Sequence, residues 1–270
     1  MKAKRQFGLH GYPFPKDAKG KTFFDKSPGY TRFARAFGHL VEDPGLGVLT
    51  CDAGIGKTAA IRNECAKLPQ PDFMTIYLCD TAVAPVDLYR CLANELGVRP
   101  SHRRSQLWSD LKKALAHMVD ERGHHAIVVV DEAQHLSDAF LLDLGGFLNF
   151  AFDSRDLFTL WLVGLPPLSR RLRQLQHAAL HTRVATEVHL EPLDRDTFLA
   201  ALDHGLKAAG CTAAKLLSDQ AAEMIFRSSR GVFRVAARLL RASLRIAQER
   251  GQTFLDEPVI QLAVEEMGAP

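Results

Sequence analysis

Eight consecutive residues, Cys51-Asp52-Ala53-Gly54-Ile55-Gly56-Lys57-Thr58, have the make-up of a loop that holds phosphate. Glycine reaches backbone angles closed to other residues, so a glycine-rich turn can aim successive N–H groups inward at phosphate oxygens. A helix starting directly after the turn would add the positive end of its dipole. In that arrangement Lys57 reaches the β- and γ-phosphates of ATP, and the Thr58 hydroxyl ligates Mg2+. The expected nucleotide-binding loop is Asp52, Ala53, Gly54, Ile55, Gly56, Lys57, Thr58 and Ala59. The pattern G-x-x-x-x-G-K-[ST] opens here on Cys51 in place of glycine. That substitution suits a residue that closes a strand and does not itself cradle the γ-phosphate.

A second group completes the chemistry. The apolar run Ala126-Ile127-Val128-Val129-Val130 ends in two carboxylates, Asp131 and Glu132. Asp131 would bind Mg2+ through its water shell, and Glu132 is placed to polarise the attacking water, which gives hydrolysis of ATP to ADP and phosphate. A glycine-rich turn with an exposed lysine, or one acid capping a strand, would each have a purely structural explanation. A paired Asp-Glu after a buried strand, in the same chain as the phosphate loop, is explained better by nucleotide chemistry.

These groups need elements to hold them. Short runs rich in β-branched residues alternate with longer helical patterns, which predicts an α/β fold with a parallel sheet flanked by helices. Strands are expected at 47–51, 74–78, 126–131, 159–164 and 187–190, with helices at 57–68, 85–96, 105–122, 137–152 and 167–181. Pro85 suits a first helical turn, and Ser105 and Ser137 suit N-caps. The strands are too apolar for water-facing sheets, so helices should cover both sides. After Leu190 only helical patterns remain, at 194–209, 218–229, 232–250 and 258–267, with Gly210 and Gly251 as C-terminal stops. The expected organisation is an N-terminal linker and first helix (1–46), an α/β nucleotide-binding domain (47–190) and a small all-helical lid (191–270), joined by a short hinge near Glu191–Pro192.

Composition narrows the setting. The chain has 270 residues, 47% of them apolar and 24% charged, as soluble globular domains do. No apolar run approaches the ~20 residues of a membrane span. The start of the chain is polar and basic, without the apolar core of a secretory signal. Five cysteines without a C-x-x-C pair fit a reducing compartment, so a cytoplasmic protein with no membrane partner is expected. The net charge of +3 hides its distribution: stretches 1–21, 99–113, 165–183 and 227–250 together hold 22 basic residues against three acidic ones.

The phosphate loop, the run Asp131-Glu132-Ala133-Gln134-His135-Leu136 and the helical tail resemble AAA+ ATPases of the ExeA/GspA-like branch. Transposition helper ATPases of the TniB, TnsC, MuB and IstB type are similar to that branch. The resemblance runs along nearly the whole chain and implies a P-loop NTPase fold with a helical lid. Phe7-Gly8-Leu9 and Pro13-Phe14 resemble the family's N-terminal linker, which packs near the adenine base. Leu180-His181-Thr182-Arg183 precedes the last strand, where the family places an arginine finger, so Arg183 would stabilise charge on a neighbouring subunit's γ-phosphate. Gly231-Val232-Phe233-Arg234 resembles the sensor-2 start of a lid helix, with Arg234 toward the nucleotide. Arg234, Arg238, Arg241 and Arg245 share one helix face by their spacing. Leu162-Val163-Gly164-Leu165-Pro166 resembles the sensor-1 strand, but Gly164 and Leu165 carry no polar side chain to orient the lytic water. Slow or partner-stimulated hydrolysis is therefore expected.

Three functions compete. In the first, an ATP-dependent DNA-binding regulator of transposition oligomerises as a ring or helical filament on target DNA. There it recruits a transposase, with a targeting protein as a further partner. Arg99, Arg103, Arg104, Lys112 and Lys113 lie in the region that faces the central channel in similar proteins, and would neutralise backbone phosphates without reading sequence. The second is an ExeA-like secretion or assembly ATPase; relatives of that kind continue into a membrane span and a wall-binding module, whereas this sequence stops after its lid. The third is a protein-only nucleotide switch such as a helicase loader.

Overall fold

The computed structural model describes residues 6–150 and 154–268. They fall into two compact units. One comprises Arg32–Asp52 and Glu64–Leu190; the other comprises the described residues up to Thr31, Ala53–Asn63 and those from Glu191 onward.

The first unit is built on five strands: β1 (Leu46–Cys51), β2 (Phe73–Leu78), β3 (His125–Val130), β4 (Phe158–Gly164) and β5 (Val184–Leu190). They stand in the order β2-β3-β4-β1-β5, and every pairing is parallel. Helix α1 (Pro28–Glu42) precedes β1, and α2 (Lys57–Cys65), most of which belongs to the other unit, follows it. Helices α3 (Pro85–Glu95) and α4 (Arg104–Arg122) connect β2 to β3, α5 (Asp138–Phe147) follows β3, and α6 (Pro167–Leu172) and α7 (Ala178–His181) lead to β5. Strands β1 and β4 are buried along their whole length, as central strands covered on both faces must be. The edge strand β5 instead alternates toward water over much of its length.

Leu107, Leu111 and Leu115 of α4 recur every four residues, so they share one helix face, and all three are fully buried. They pack in one core with Val128, Val130, Leu160, Leu162 and Phe147, each aliphatic side chain contributing about 1.5–3 kcal/mol of burial free energy. Gly47 explains a glycine inside a strand: a Cβ there would sit 2.7 Å from the Trp161 ring and 2.8 Å from Leu40.

Several helix limits differ from the sequence expectation, each for a local reason. Helix α2 stops at Cys65 and not at 68, because Pro69 and Pro71 follow and the residue before a proline avoids helical angles. Helix α4 starts at Arg104 with Arg103 as its N-cap, displacing Ser105 from that role. Ser137 does cap α5, its Oγ accepting the Phe140 N–H at 3.2 Å; the helix expected to reach 152 ends at Phe147, with Phe150 already in a bridge to Arg155, and residues 151 and 152 lie outside the described residues. The helix expected over 167–181 is broken at Gln174, which is extended at φ −69° and ψ 146°. Side-chain bonds from Arg171 and His177 to the α5 segment hold the pieces, so tertiary contacts override helical periodicity there.

The second unit is helical: α8 (Arg195–Ala208), α9 (Ala213–Leu216), α10 (Asp219–Ser229), α11 (Phe233–Glu249) and α12 (Glu257–Met267). Asp194, Ser218 and Asp256 cap α8, α10 and α12 by accepting main-chain N–H bonds at 2.9, 3.0 and 3.2 Å. Phe198, Leu206, Ile225, Leu240 and Ile260 form its core, and Phe7 and Leu9 from the N-terminal segment insert into it. Among the described residues no helix is long and apolar enough to cross a membrane.

Candidate nucleotide site

Strand β1 leads directly into the phosphate loop. Cys51 is its last residue, fully buried and in register with Leu190, so it serves the sheet. Gly54 and Gly56 adopt φ of +91° and +125°, angles strained for any other residue, and α2 begins at Lys57. The loop therefore has the glycine geometry and helix N-terminus that a phosphate group requires. Lys57 is 7% exposed, Ile55 is buried, Thr58 and Ala59 are half-buried, and Asp52 and Ala53 are exposed.

The residues around this loop come from both ends of the chain. The Arg234 main-chain N–H donates to Gly54 O at 3.1 Å, and a Cβ on Gly54 would lie 2.8 Å from the Arg234 Cβ. Arg234 opens the first turn of α11, and its side chain is exposed. Phe14 meets Phe233 edge-on at 5.2 Å between ring centroids, and a Cβ on Gly56 would find Phe233 at 3.9 Å. Phe14 holds φ at +54°, an uncommon angle for an aromatic residue. Pro13, beside it, is buried. Asn63, near the end of α2, anchors the N-terminal segment, donating to the Tyr30 hydroxyl at 2.6 Å and accepting the Gly20 N–H at 2.9 Å. Asn63 had no sequence signal beyond its position near a motif, and Phe233 lay within the run 231–234 without a role of its own. Of the arginine stripe on α11, Arg241 lies over the Tyr12 ring and Arg245 pairs with Glu249 and Glu266.

The carboxylate pair lies in the sheet unit, just past the end of β3. Asp131 is 2% exposed; its Oδ1 accepts the Glu132 N–H at 2.8 Å and its Oδ2 accepts the Tyr77 hydroxyl at 2.9 Å. Burial, and then the Asp131 carboxylate, push the Tyr77 phenol well above its ordinary range, so it stays a donor. Glu132 takes left-handed angles (φ 54°, ψ 33°), and its carbonyl accepts the Thr81 hydroxyl at 2.9 Å. Gln134 Nε2 donates to Glu132 Oε2 at 2.7 Å, and Gln134 Oε1 accepts the Leu165 N–H at 3.0 Å. Arg171 in turn donates to the carbonyls of Gln134 and Leu136 and to Asp138. Arg171 first, and then His177, hold the Asp138 carboxyl below its usual range. Tyr77, Thr81 and Arg171 carry no signal in the sequence because only tertiary structure brings them to the carboxylates or to the turn after them. Gln134 alone had a signal, a polar residue in the run after Glu132.

The remaining expected residues lie apart from this group. Arg183 immediately precedes β5, whose first residue Val184 is in register with Leu46 at the start of β1. It is half-buried, and its charge, after burial, holds the Lys112 amine below its ordinary value. Arg183 thus lies at the sheet edge opposite Asp131, about 20 Å away for strands of this length. Arg99, Arg103 and Lys113 are exposed. Arg104 pairs with Asp143 and its guanidinium lies 4.4 Å from the centroid of the Trp108 ring. Lys112 donates to Asn149 O at 2.7 Å and lies over the Phe150 ring. Arg104 and Lys112 therefore hold the fold as well as carrying charge.

Residues 41–172 match the family model described as AAA domain. The chain is 28% identical over 269 residues to General secretion pathway protein A of Aeromonas hydrophila, a match covering 97% of this chain and 48% of that protein. The chain thus spans about half the length of that curated relative. Among solved structures, Cdc6p from Pyrobaculum aerophilum superposes with a TM-score of 0.70 at 17% identity, over 97% of this chain and 70% of that one. The Drosophila ORC bound to DNA gives 0.71 at 16% identity, over 99% and 65%. The fold is that of an AAA+ P-loop NTPase, the fold expected from the sequence.

Proposed function

We propose, for a chain that carries an AAA+ ATPase domain, that it binds ATP with Mg2+ and hydrolyses it to ADP and phosphate. Nucleotide state would then control its self-assembly on duplex DNA. The observation that carries the nucleotide part is the glycine loop at the end of β1, with a buried Asp131 and a side-chain-held Glu132 at the end of β3 in the same parallel sheet. With nucleotide bound, the main-chain N–H groups of the loop and Lys57 would hold the phosphates, and Thr58 and Asp131 would hold Mg2+. The metal, when bound, neutralises charge on the phosphate oxygens. Glu132 orients the attacking water. Pro13 and Phe14 would serve the base, and Arg234 the phosphates.

Arg183 acts on a neighbouring copy's nucleotide. Its place at the sheet edge opposite Asp131 supports action across a subunit interface and not within its own chain. Hydrolysis is then tied to assembly, as a ring or a helical filament. The DNA part rests on the exposed Arg99, Arg103 and Lys113, and on a fold shared with a structure of ORC bound to DNA. In this reading the protein regulates transposition, recruiting a transposase to the DNA it coats. A second reading, an assembly ATPase of secretion, is favoured by the match to General secretion pathway protein A along 97% of this chain.

Electron microscopy and DNA binding with ATP or a slowly hydrolysed analogue separate the two. The transposition reading expects oligomers on duplex DNA and binding that weakens steeply with salt. Absence of DNA binding at low salt with every nucleotide leaves the secretion or protein-only reading.

A further inference from the structure

We propose that Gln134 is a positioning residue that fixes the Glu132 carboxylate against the C-terminal end of β4, supplying the polar group that Gly164 and Leu165 lack. This inference rests on the hydrolytic role of Glu132 proposed above. The Gln134 amide is used on both sides: Nε2 donates to Glu132 Oε2 at 2.7 Å, and Oε1 accepts the Leu165 N–H at 3.0 Å. Its orientation is fixed by chemistry, since an ionised carboxylate only accepts and a main-chain N–H only donates. The Gln134 main chain is held as well, its carbonyl accepting from Arg171 at 2.9 Å.

Gly164 is the other half of the device. A Cβ at that position would lie 2.7 Å from Gln134 Oε1 and 3.2 Å from Gln134 N. The missing side chain on β4 is therefore the space that the Gln134 amide fills. Glu132 sits in left-handed angles directly after the strand, and the Gln134 amide sets its carboxylate there. Asp131, Tyr77 and Arg171 are charged or ionisable groups bonded near it, and Arg171 also reaches Asp138, which His177 contacts in turn. The first two bond to one another, and Arg171 reaches the Gln134 and Leu136 carbonyls. Gln134 is the residue that ties the Glu132 carboxylate to β4.

The test uses the whole chain, with ATP affinity and kcat measured separately for each variant. Gln134→Leu should lower kcat about 10- to 100-fold, the cost of a misplaced reacting group, while the Kd for ATP stays within about twofold of the wild type. Gly164→Ala, which displaces the amide without altering it, should do the same and guards against a Gln134 variant that fails to fold. The double variant Gln134→Ala with Gly164→Gln returns an amide from β4 and should recover much of kcat. Unchanged kcat in Gln134→Leu and Gly164→Ala would overturn the inference, as would a loss confined to ATP affinity. A wild-type protein that binds ATP without hydrolysing it under any condition would instead overturn the hydrolytic reading itself.

Discussion

The main-chain N–H of Arg234 donates to the carbonyl of Gly54 at 3.1 Å, fastening the first turn of α11 to the phosphate loop. Gly54 makes that approach possible through its φ of +91° and its missing side chain. Gly54→Ala should therefore strain the loop and push Arg234 away together, costing about 1–3 kcal/mol of stability and most of the nucleotide affinity. Thermal unfolding with and without ATP reads both effects. An alanine variant that keeps full affinity would show that the loop does not depend on this contact.

Lys57→Ala should abolish ATP binding, because no other cation on the loop replaces it at the phosphates. Glu132→Gln should keep binding and trap the ATP-bound assembly, since the carboxylate acts after the nucleotide is held. Equilibrium binding and a phosphate-release assay separate the two. Normal hydrolysis by Glu132→Gln would remove Glu132 from the reaction.

Alanine at Arg99, Arg103 and Lys113 should weaken DNA binding equally on all sequences and reduce the salt slope by about 0.9 for each phosphate no longer neutralised. Arg104→Ala should behave differently, because it also breaks the Asp143 pair and the stacking on Trp108, the stacking alone being worth about 0.5–1 kcal/mol. A melting curve beside the salt titration tells missing charge from missing packing. If the triple variant keeps the wild-type salt slope, this loop is not the DNA surface.

Arg183→Ala should leave ATP binding by a single copy intact and lower the assembly-dependent rate by roughly 10³–10⁵-fold, as removal of an arginine finger does elsewhere. Mixing it with Glu132→Gln gives interfaces that pair an intact Glu132 with an intact Arg183, so activity should reappear in the mixture. Wild-type rates from Arg183→Ala alone would assign Arg183 to structure, beside Lys112.

The chemistry was legible along the chain because it depends on residues adjacent in sequence. The glycines of 51–58, the lysine and threonine after them, and two carboxylates behind a buried run carry their meaning without a partner. Strand identity was legible for a similar reason: a strand covered on both faces is mostly apolar, as β1 and β4 are apart from the buried Thr50 and Thr159. Helix ends were less so. The break at Gln174 follows from bonds that Arg171 and His177 make to residues more than thirty positions earlier, which no local period records.

By itself, the sequence determined the alternating α/β plan, the phosphate loop and the Asp131–Glu132 pair, because each is a local matter of residue type and spacing. Only tertiary structure decided that Gln134 fills the space beside Gly164, that Arg234 is bound to Gly54, that Arg104 is engaged by Asp143 and Trp108, and that Arg183 lies at the edge away from Asp131. Each of these follows from the strand order β2-β3-β4-β1-β5 or from helix packing. Those arrangements join residues far apart in the chain, and hydrophobic periodicity fixes which face of an element is buried without saying which neighbour it meets.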